Sequence, residues 1–333
     1  MQDHLPYRAS DTRYADAEAL FARCGDSGVL LPRVSLGLWK GFGAARPFSE
    51  SERMLHYAFD HGVTHFDLAN NYGPPYGSAE ETFGRVMDGS FRPYRDELFV
   101  ATKAGYDMWP GPYGNWGSRK YLMASLDQSL RRMRLDYVDL FYSHRYDPLT
   151  PLDETLQALA DIVRQGKALY IGISRWPADA FRYACGYLRK RDVPVLAYQG
   201  RLNLLDRTME RDGVLDAVRE QRTGLVAFSP LAQGLLTDRY LSGVPADSRM
   251  RTDVTLKESS LTPELLARLR RWDALARHRG ESLADVALRW VLGHHGVTSV
   301  IVGVSRVEQL ADNLRVLSGS PLSGDELREL EGE

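Results

Sequence analysis

The sequence predicts one α/β domain folded as a (β/α)8 barrel, the TIM-barrel architecture, with an active site at the C-terminal mouth. The chain has 333 residues, and such a barrel needs about 250. Short β-rich runs alternate with longer amphipathic stretches about eight times, which is typical of parallel strands covered by helices. No linker of low complexity divides residues 22–333, so we expect these to form a single barrel domain.

Eight runs rich in Val, Ile, Leu, Phe and Tyr are predicted as strands, because strands covered by helices are apolar on both faces. They span residues 33–38, 63–68, 98–102, 137–142, 168–173, 195–199, 224–228 and 299–302. Apolar residues at helical spacing predict helices over 49–61, 118–133, 152–163 and 177–188. Ser49 and Glu52 have the spacing of a capping box at the start of the first helix, and Gly62 is predicted to end it.

Composition excludes several classes of protein. Lys and Arg total 42 and Asp and Glu total 44, a net charge of −2. This charge lacks the basic excess that is typical of proteins that bind nucleic acid or anionic membranes. No stretch approaches the roughly 18 apolar residues of a membrane helix. Cys24 and Cys185 lie far apart and no apolar signal sequence is seen, so we predict a cytoplasmic location. Residues 1–21 match no motif and are set apart as an N-terminal arm of unknown role.

Several functional motifs are absent from the sequence. No Gly-x-Gly-x-x-Gly fingerprint follows the first predicted strand. His61 and His65 are four residues apart, but Gly62 interrupts the continuous helix that a zinc pair needs. We therefore predict no metal site, and a metal-assisted barrel hydrolase lacks its ligand cluster.

Four polar side chains are predicted to meet at the mouth of the barrel. Asp67, Lys103 and His144 stand at the ends of the second, third and fourth predicted strands. Tyr72 lies five residues past Asp67, in the loop that follows. Alone, each residue has an ordinary structural explanation, such as a turn cap or a satisfied core histidine. Together they form an acid–base device where barrels build active sites.

The four residues suit the reduction of a carbonyl group. A free phenol, with a pKa of about 10, is a poor acid at neutral pH, and we expect the Lys103 ammonium to lower the pKa of Tyr72. A buried Asp67 would keep Lys103 charged. Tyr72 then donates a proton to the carbonyl oxygen, and His144 orients that oxygen. Hydride would come from a nicotinamide.

These residues and their contexts resemble the aldo-keto reductases, whose catalytic tetrad is Asp, Tyr, Lys and His. Residues 70–75, 172–176 and 228–235 are similar to a narrower group, the bacterial L-glyceraldehyde 3-phosphate reductases and the β-subunits of voltage-gated potassium channels. Residues 142–145 are more similar to the bacterial enzymes, because the channel subunits depart from the family histidine. The resemblance implies NADPH-dependent reduction of small aldehydes such as L-glyceraldehyde 3-phosphate or methylglyoxal. The alternative is an NADP-binding regulatory subunit.

The resemblance also implies a cofactor site along the mouth. Ser174, Arg175 and Gln199 suit the nicotinamide carboxamide, and Phe228 suits stacking on the ring. The loop after the seventh strand is expected to wrap the pyrophosphate. Arg306 with Ser305 fits an adenosine 2′-phosphate, which favours NADP over NAD, unless Arg306 is merely solvated. The remaining implied contacts are Trp39, Asp67, Tyr72, Ser229, Leu231, Gln233, Arg239, Arg249, Gly303, Gln309 and Asn313.

Substrate recognition is less defined by the sequence. The predicted substrate contacts are Trp39, Tyr72, Trp109, His144 and Arg145. Trp39 either walls the pocket or packs beneath the cofactor, and either Arg145 or Arg119 suits a substrate phosphate. The direction of the reaction and the physiological aldehyde are not readable. Related proteins form tetramers and octamers, so a homo-oligomer is compatible with the resemblance.

Overall fold

The computed structural model describes residues 7–244 and 258–332, in which eight parallel strands close into a barrel. The strands in chain order are β1 (Phe21–Arg23), β2 (Leu30–Pro32), β3 (Val34–Gly37), β4 (His65–Asp67), β5 (Phe99–Ala104), β6 (Val138–Ser143), β7 (Ala168–Ser174), β8 (Val195–Arg201), β9 (Gly224–Phe228) and β10 (Val297–Val302). Strand β10 pairs with both β9 and β3, which closes the sheet. The predicted fold is confirmed, and each predicted strand overlaps one of β3–β10.

Helices cover the outside of the barrel. The described residues form α1 (Ala17–Leu20), α2 (Phe48–Asp60), α3 (Ser78–Val86), α4 (Arg119–Met133), α5 (Leu152–Arg164), α6 (Ala178–Arg189), α7 (Thr208–Arg211), α8 (Val214–Gln221), α9 (Pro263–His278), α10 (Leu283–Gly293), α11 (Val307–Leu314) and α12 (Gly324–Glu331). Short π or 3-10 segments are Met87–Phe91, Arg92–Glu97, Ala232–Gly234, Asp238–Tyr240, Glu258–Ser260 and Arg315–Ser318. In the described part of the chain, no helix has the length and apolarity needed to cross a membrane.

The start of α2 differs from the prediction. The helix begins at Phe48 after Pro47, and no side chain caps its first turn. The predicted capping box of Ser49 and Glu52 is therefore wrong, because both residues already lie inside the helix. Pro47 supplies the extended residue before it, with φ near −54°. The predicted end is confirmed: Gly62 has φ near 80°, a conformation that costs glycine little.

The β1–β2 hairpin closes the N-terminal end of the barrel. Cys24 and Leu31, both buried, pack with the interior residues Ala101, Leu140 and Val226. The Cys24 thiol also donates to the carbonyl of Leu196 at the start of β8, at 3.5 Å. Apolar burial at this end leaves the opposite end of the barrel for polar chemistry.

The chain before the hairpin lies against the outside of the barrel. The Tyr7 hydroxyl and the Ser10 backbone N–H both donate to Asp60 Oδ1, at 2.9 and 2.8 Å. Arg13 pairs with Glu97 at 2.6 Å. These contacts tie residues 7–13 to α2 and to the turn before β5. The division into an arm over residues 1–21 and a barrel over 22–333 stays a prediction.

Inside the barrel, a polar cluster lies below the mouth. Ser35 Oγ is 2.6 Å from Ser299 Oγ and 2.8 Å from His65 Nδ1, and all three residues are fully buried. His65 Nε2 finds no partner among the described residues. Burial lowers the pKa of His65 to about 4; Lys103 adds to the decrease and Asp67 opposes it. His65 is therefore neutral in the folded protein at neutral pH.

We expect this histidine to make stability depend on pH. Unfolded histidine binds a proton below a pKa of about 6.5, whereas folded His65 does so only near pH 4. Stability should thus fall as pH drops through this window, by about 2 kcal/mol for His65 between pH 7 and 5. Urea unfolding at both pH values tests this with His65→Gln, whose pH dependence should be weaker. Identical dependence in the variant and the unmodified protein would exclude His65 as the source.

Candidate active site

The Lys103 ammonium occupies the centre of the barrel mouth. Its Nζ donates to Asp67 Oδ2 at 2.6 Å, to the Leu68 carbonyl at 2.6 Å and to Tyr72 Oη at 3.2 Å. A lysine ammonium has three N–H donors, so all three are used. The side chain is fully buried. Burial lowers the pKa of Lys103 below its ordinary 10.5, and Asp67 opposes that decrease.

Asp67 joins the lysine to a neighbouring strand. It ends β4 and accepts from Lys103 with Oδ2 and from the Gln199 amide with Oδ1, at 2.9 Å. A carboxylate needs a donor there, so the Gln199 nitrogen faces Asp67 and its amide oxygen faces away. Both oxygens of Asp67 are thus held, by residues from β5 and β8.

Tyr72 reaches the lysine from the loop after β4. Its carbonyl accepts from the backbone N–H groups of Gly77 and Ala79, at 3.1 and 3.3 Å, which fixes the loop on the start of α3. Gly73 has φ near 154°, and a Cβ there would lie 2.0 Å from the Pro75 carbonyl oxygen. Only glycine fits this turn, which directs the phenol back over the mouth.

The pKa of Tyr72 moves opposite to our expectation. Burial raises it well above its ordinary value of 10.0; Asp67 and Tyr106 add to the rise, and Arg175 opposes it. The predicted decrease in the pKa of Tyr72 is therefore wrong, because the loss of solvation on burial outweighs the opposing effect of Arg175. The phenol is protonated across neutral pH. Since Tyr72 Oη accepts from Lys103, its own O–H is left to donate elsewhere.

His144 lies beside the phenol as a neutral imidazole. Its ring meets Tyr72 edge-on, with centroids 5.9 Å apart. Burial lowers the pKa of His144 well below 6.5, helped by Lys103, Arg175 and Arg145. Within the described residues, its buried Nδ1 has no hydrogen-bond partner. The structure thus brings together all four residues of the predicted tetrad.

Tyr106 is a site residue that the sequence analysis missed. Its ring lies 4.7 Å from the His144 ring, edge to face, and its hydroxyl accepts from Arg175 Nη1 at 2.8 Å. The Tyr121 hydroxyl donates to the Tyr106 carbonyl and accepts from buried Asn70. Tyr106 lies two residues past the end of β5, where mouth residues are expected, and this position could have identified it from the sequence.

The residues predicted for the carboxamide border the tetrad. Ser174 and Gln199 are paired neighbours in β7 and β8, and both are buried. The Ser174 hydroxyl has no partner among the described residues, and the Gln199 amide oxygen faces away from Asp67. An unsatisfied hydroxyl beside an amide oxygen fits an amide ligand. Arg175, with φ near 58°, turns outward and contacts Tyr106.

The segment after β9 carries unusual backbone conformations. Phe228 is partly buried at the end of β9, with Arg201 5.7 Å from its ring centroid. Ser229 and Gln233 have φ near 53° and 59°, and the Leu231 carbonyl accepts from Gly234 N–H at 2.8 Å. The other two predicted contacts are Arg239, which is exposed in a 3-10 turn, and Arg249, which lies outside the described residues.

The predicted phosphate residues surround the start of α11. Arg306 is exposed and precedes the helix, 4.0 Å from Glu308. The Ser305 backbone and hydroxyl both donate to Gln309 Oε1, at 2.8 and 3.0 Å. Of the two remaining predicted contacts, Gly303 is exposed and precedes the helix, whereas Asn313 is buried near the end of α11. Anions favour helix N-termini, so a phosphate fits here.

Besides Tyr72 and His144, the predicted substrate residues Trp39 and Arg145 lie at the mouth, because each follows the end of a barrel strand. Trp39, after β3, is 44% exposed, with Lys40 4.5 Å from its ring. Arg145 follows His144. Trp109 instead packs on Tyr121 with centroids 5.2 Å apart, so it anchors the loop over residues 105–117.

Sequence comparison agrees with this geometry. The profile of the Aldo/keto reductase family matches residues 33–332. The chain belongs to the aldo/keto reductase family. As such it is an oxidoreductase, of a family that generally uses NAD(P)H.

Two relatives show how this aldo/keto reductase is placed within the family. It is 50% identical over 332 residues to the L-glyceraldehyde 3-phosphate reductase of Escherichia coli (strain K12), covering 98% of this chain and 95% of that protein. It is 34% identical over 309 residues to the probable voltage-gated potassium channel subunit beta of Oryza sativa subsp. japonica, covering 91% and 92%. Both similarities confirm the family resemblance seen in the sequence.

The buried ion pair predicts a stability effect. Asp67→Asn leaves the Lys103 charge without its counterion, which should cost about 3–5 kcal/mol of unfolding free energy. The double variant Asp67→Asn, Lys103→Met removes both charges and should lose less than Asp67→Asn alone. Urea unfolding measures both. Asp88→Asn, at an exposed ion pair, is the matched control and should stay close to the unmodified protein. An Asp67→Asn variant as stable as this control would contradict the account.

Proposed function

We propose that this aldo/keto reductase reduces small aldehydes to alcohols with NADPH, using Tyr72 as the general acid. The observation that carries the proposal is the hydrogen-bonded chain from Asp67 through Lys103 to Tyr72. Because the ammonium donates to the phenol oxygen, the phenol proton is available to a substrate. The raised pKa keeps that proton in place until a carbonyl oxygen accepts it.

Each residue of the tetrad has a distinct task. When bound, a nicotinamide dinucleotide supplies the hydride. Tyr72 donates its proton to the carbonyl oxygen as negative charge develops there. His144, being neutral, is suited to hold the same oxygen with a ring N–H, and Lys103 stabilises the phenolate that remains. Asp67 keeps the lysine charged and oriented.

The substrate class follows from the 50% identical relative. That protein is named L-glyceraldehyde 3-phosphate reductase, and we assign this chain the same aldehyde or a methylglyoxal-like one. The 34% identical channel subunit supports a second candidate, an NADP-binding regulatory subunit. His144 favours the enzyme, because the channel subunits depart from histidine there. A cytoplasmic location and a tetrameric or octameric assembly stay predictions from the sequence.

Replacing the phenol tests the general acid. Tyr72→Phe removes the proton donor but leaves the ring, so kcat for glyceraldehyde should fall by about 10²–10⁴. NADPH binding, followed by fluorescence titration, should be unchanged. Tyr76→Phe is the matched control, since Tyr76 is an exposed tyrosine in the same loop. Near-normal turnover in Tyr72→Phe would show that another group supplies the proton.

Cofactor choice is tested at α11. We expect NADPH to bind more tightly than NADH, because Arg306 contacts the 2′-phosphate. Arg306→Ala should weaken NADPH by about 10- to 100-fold, the worth of a charge-assisted hydrogen bond, and leave NADH unchanged. Arg315→Ala, an exposed arginine just past the other end of α11, is the control. Equal affinities of the unmodified protein for NADPH and NADH would show that Arg306 does not recognise a 2′-phosphate.

A further inference from the structure

The Arg145 guanidinium lies against two aromatic rings at the edge of the mouth. Its central carbon lies 3.6 Å from the Trp116 ring centroid and 4.3 Å from that of Tyr106. Nε donates to the Gly105 carbonyl and Nη2 to Asn115 Oδ1, both at 2.6 Å. Two rings and two hydrogen bonds therefore hold this side chain in one position, so little conformational entropy is lost when it binds a ligand.

No carboxylate in the described part of the chain neutralises the charge of Arg145. Among the described residues it forms no ion pair, and its Nη1 makes no hydrogen bond. The amide of Asn115 stands between Arg145 and Asp107, donating to Asp107 and accepting from Arg145. Arg119, the other cation suggested by the sequence, pairs with Asp161 at 2.5 Å. Of the two arginines, Arg145 is therefore available to bind a substrate phosphate, whereas Arg119 is already paired with Asp161.

Arg145 lies close to His144, the residue proposed to hold the carbonyl oxygen. The His144 ring is 4.7 Å from the Tyr106 centroid, so the guanidinium carbon is at most the sum of the two distances, 9.0 Å, from the His144 ring. In a three-carbon phosphorylated aldehyde, five bonds of about 1.5 Å separate the carbonyl oxygen from phosphorus, an extended span of about 6 Å. With a hydrogen bond of about 2.8 Å at each end, one such molecule is long enough to contact both residues at once.

Asn115 and Trp116 hold Arg145 in place through contacts that also fix their own positions. Trp116 has φ near 71°, a conformation that costs a non-glycine residue about 1–3 kcal/mol. Its N–H donates to Asn115 Oδ1 at 2.7 Å, the same oxygen that accepts from Arg145. Asn115 thus holds both the strained tryptophan and the guanidinium stacked on it. Strain of this kind persists where surrounding contacts enforce it, as at ligand sites.

We propose that Arg145 is the specificity residue of the substrate site and binds the phosphate of a phosphorylated three-carbon aldehyde through an N–H of Nη1 and the remaining N–H of Nη2. The assignment rests on the proposed aldehyde reduction and adds the reason for a phosphorylated substrate. A planar guanidinium binds phosphate with two parallel hydrogen bonds, which a lysine cannot reproduce. The positive charges of Lys103, Arg145 and Arg175, which all depress the pKa of His144, give the mouth a field that favours an anion.

The test compares two aldehydes that differ only in the phosphate. We define the phosphate preference as kcat/KM for L-glyceraldehyde 3-phosphate divided by kcat/KM for L-glyceraldehyde, both with saturating NADPH. Arg145→Met should lower this preference by about 10- to 100-fold, the worth of a charge-assisted hydrogen bond. Arg145→Lys keeps the charge without the fork and should give an intermediate preference. Arg119→Ala, at the occupied arginine, should leave the preference unchanged.

Inorganic phosphate supplies a second readout. With NADPH saturating, phosphate should inhibit reduction of L-glyceraldehyde competitively in the unmodified enzyme, and about 10- to 100-fold more weakly in Arg145→Met. If Arg145 only holds the loop, Arg145→Met lowers kcat/KM for both aldehydes equally, and the preference stays constant. That result would overturn the assignment while leaving the reductase activity established. An unmodified enzyme that reduces neither aldehyde would instead overturn the proposed function.

Discussion

The buried ion pair between Asp67 and Lys103 is the interaction on which the mouth of the barrel depends. Each charge, taken out of water alone, would cost several kcal/mol, so the fold must supply every partner. It does so with the Leu68 carbonyl just past β4, the Gln199 amide in β8 and the phenol of Tyr72 in the loop after β4. The same contacts that make burial tolerable leave the phenol with a donor proton.

Rigid strands carry the charges, and loops carry the groups that face ligands. Asp67 and Lys103 sit in strands whose registers the closed sheet holds, whereas Tyr72 and Arg145 lie just beyond strand ends. Three residues on loops at this end of the barrel, Trp116, Arg175 and Ser229, also have positive φ. The apolar packing at the opposite end of the barrel stabilises the fold without contributing to this chemistry. Because the apolar packing and the charged site lie at opposite ends of the barrel, the fold can be stable while the mouth contains buried charges and strained backbone.

Strand positions and the tetrad were predictable because both follow simple rules. Apolar runs mark covered strands, and polar residues at strand ends mark the mouth, which places Asp67, Lys103 and His144 together. Residues 105–117 show neither helical nor strand periodicity. The contacts of Asn115 and Trp116 with Arg145 therefore could not be predicted from the sequence. The direction of the Tyr72 pKa was mispredicted for a related reason: sequence identifies the neighbouring cation, but the extent of burial is a property of the folded chain.

The most direct test of the central ion pair is a single-turnover measurement. The double variant Asp67→Asn, Lys103→Met leaves no buried charge unpaired, so it separates chemistry from folding. Stopped-flow mixing of its NADPH complex with glyceraldehyde reports the hydride-transfer step through loss of NADPH fluorescence. With NADPH saturating for each protein, the account predicts a rate about 10²–10⁴-fold below that of the unmodified enzyme. A rate equal to that of the unmodified enzyme would contradict it.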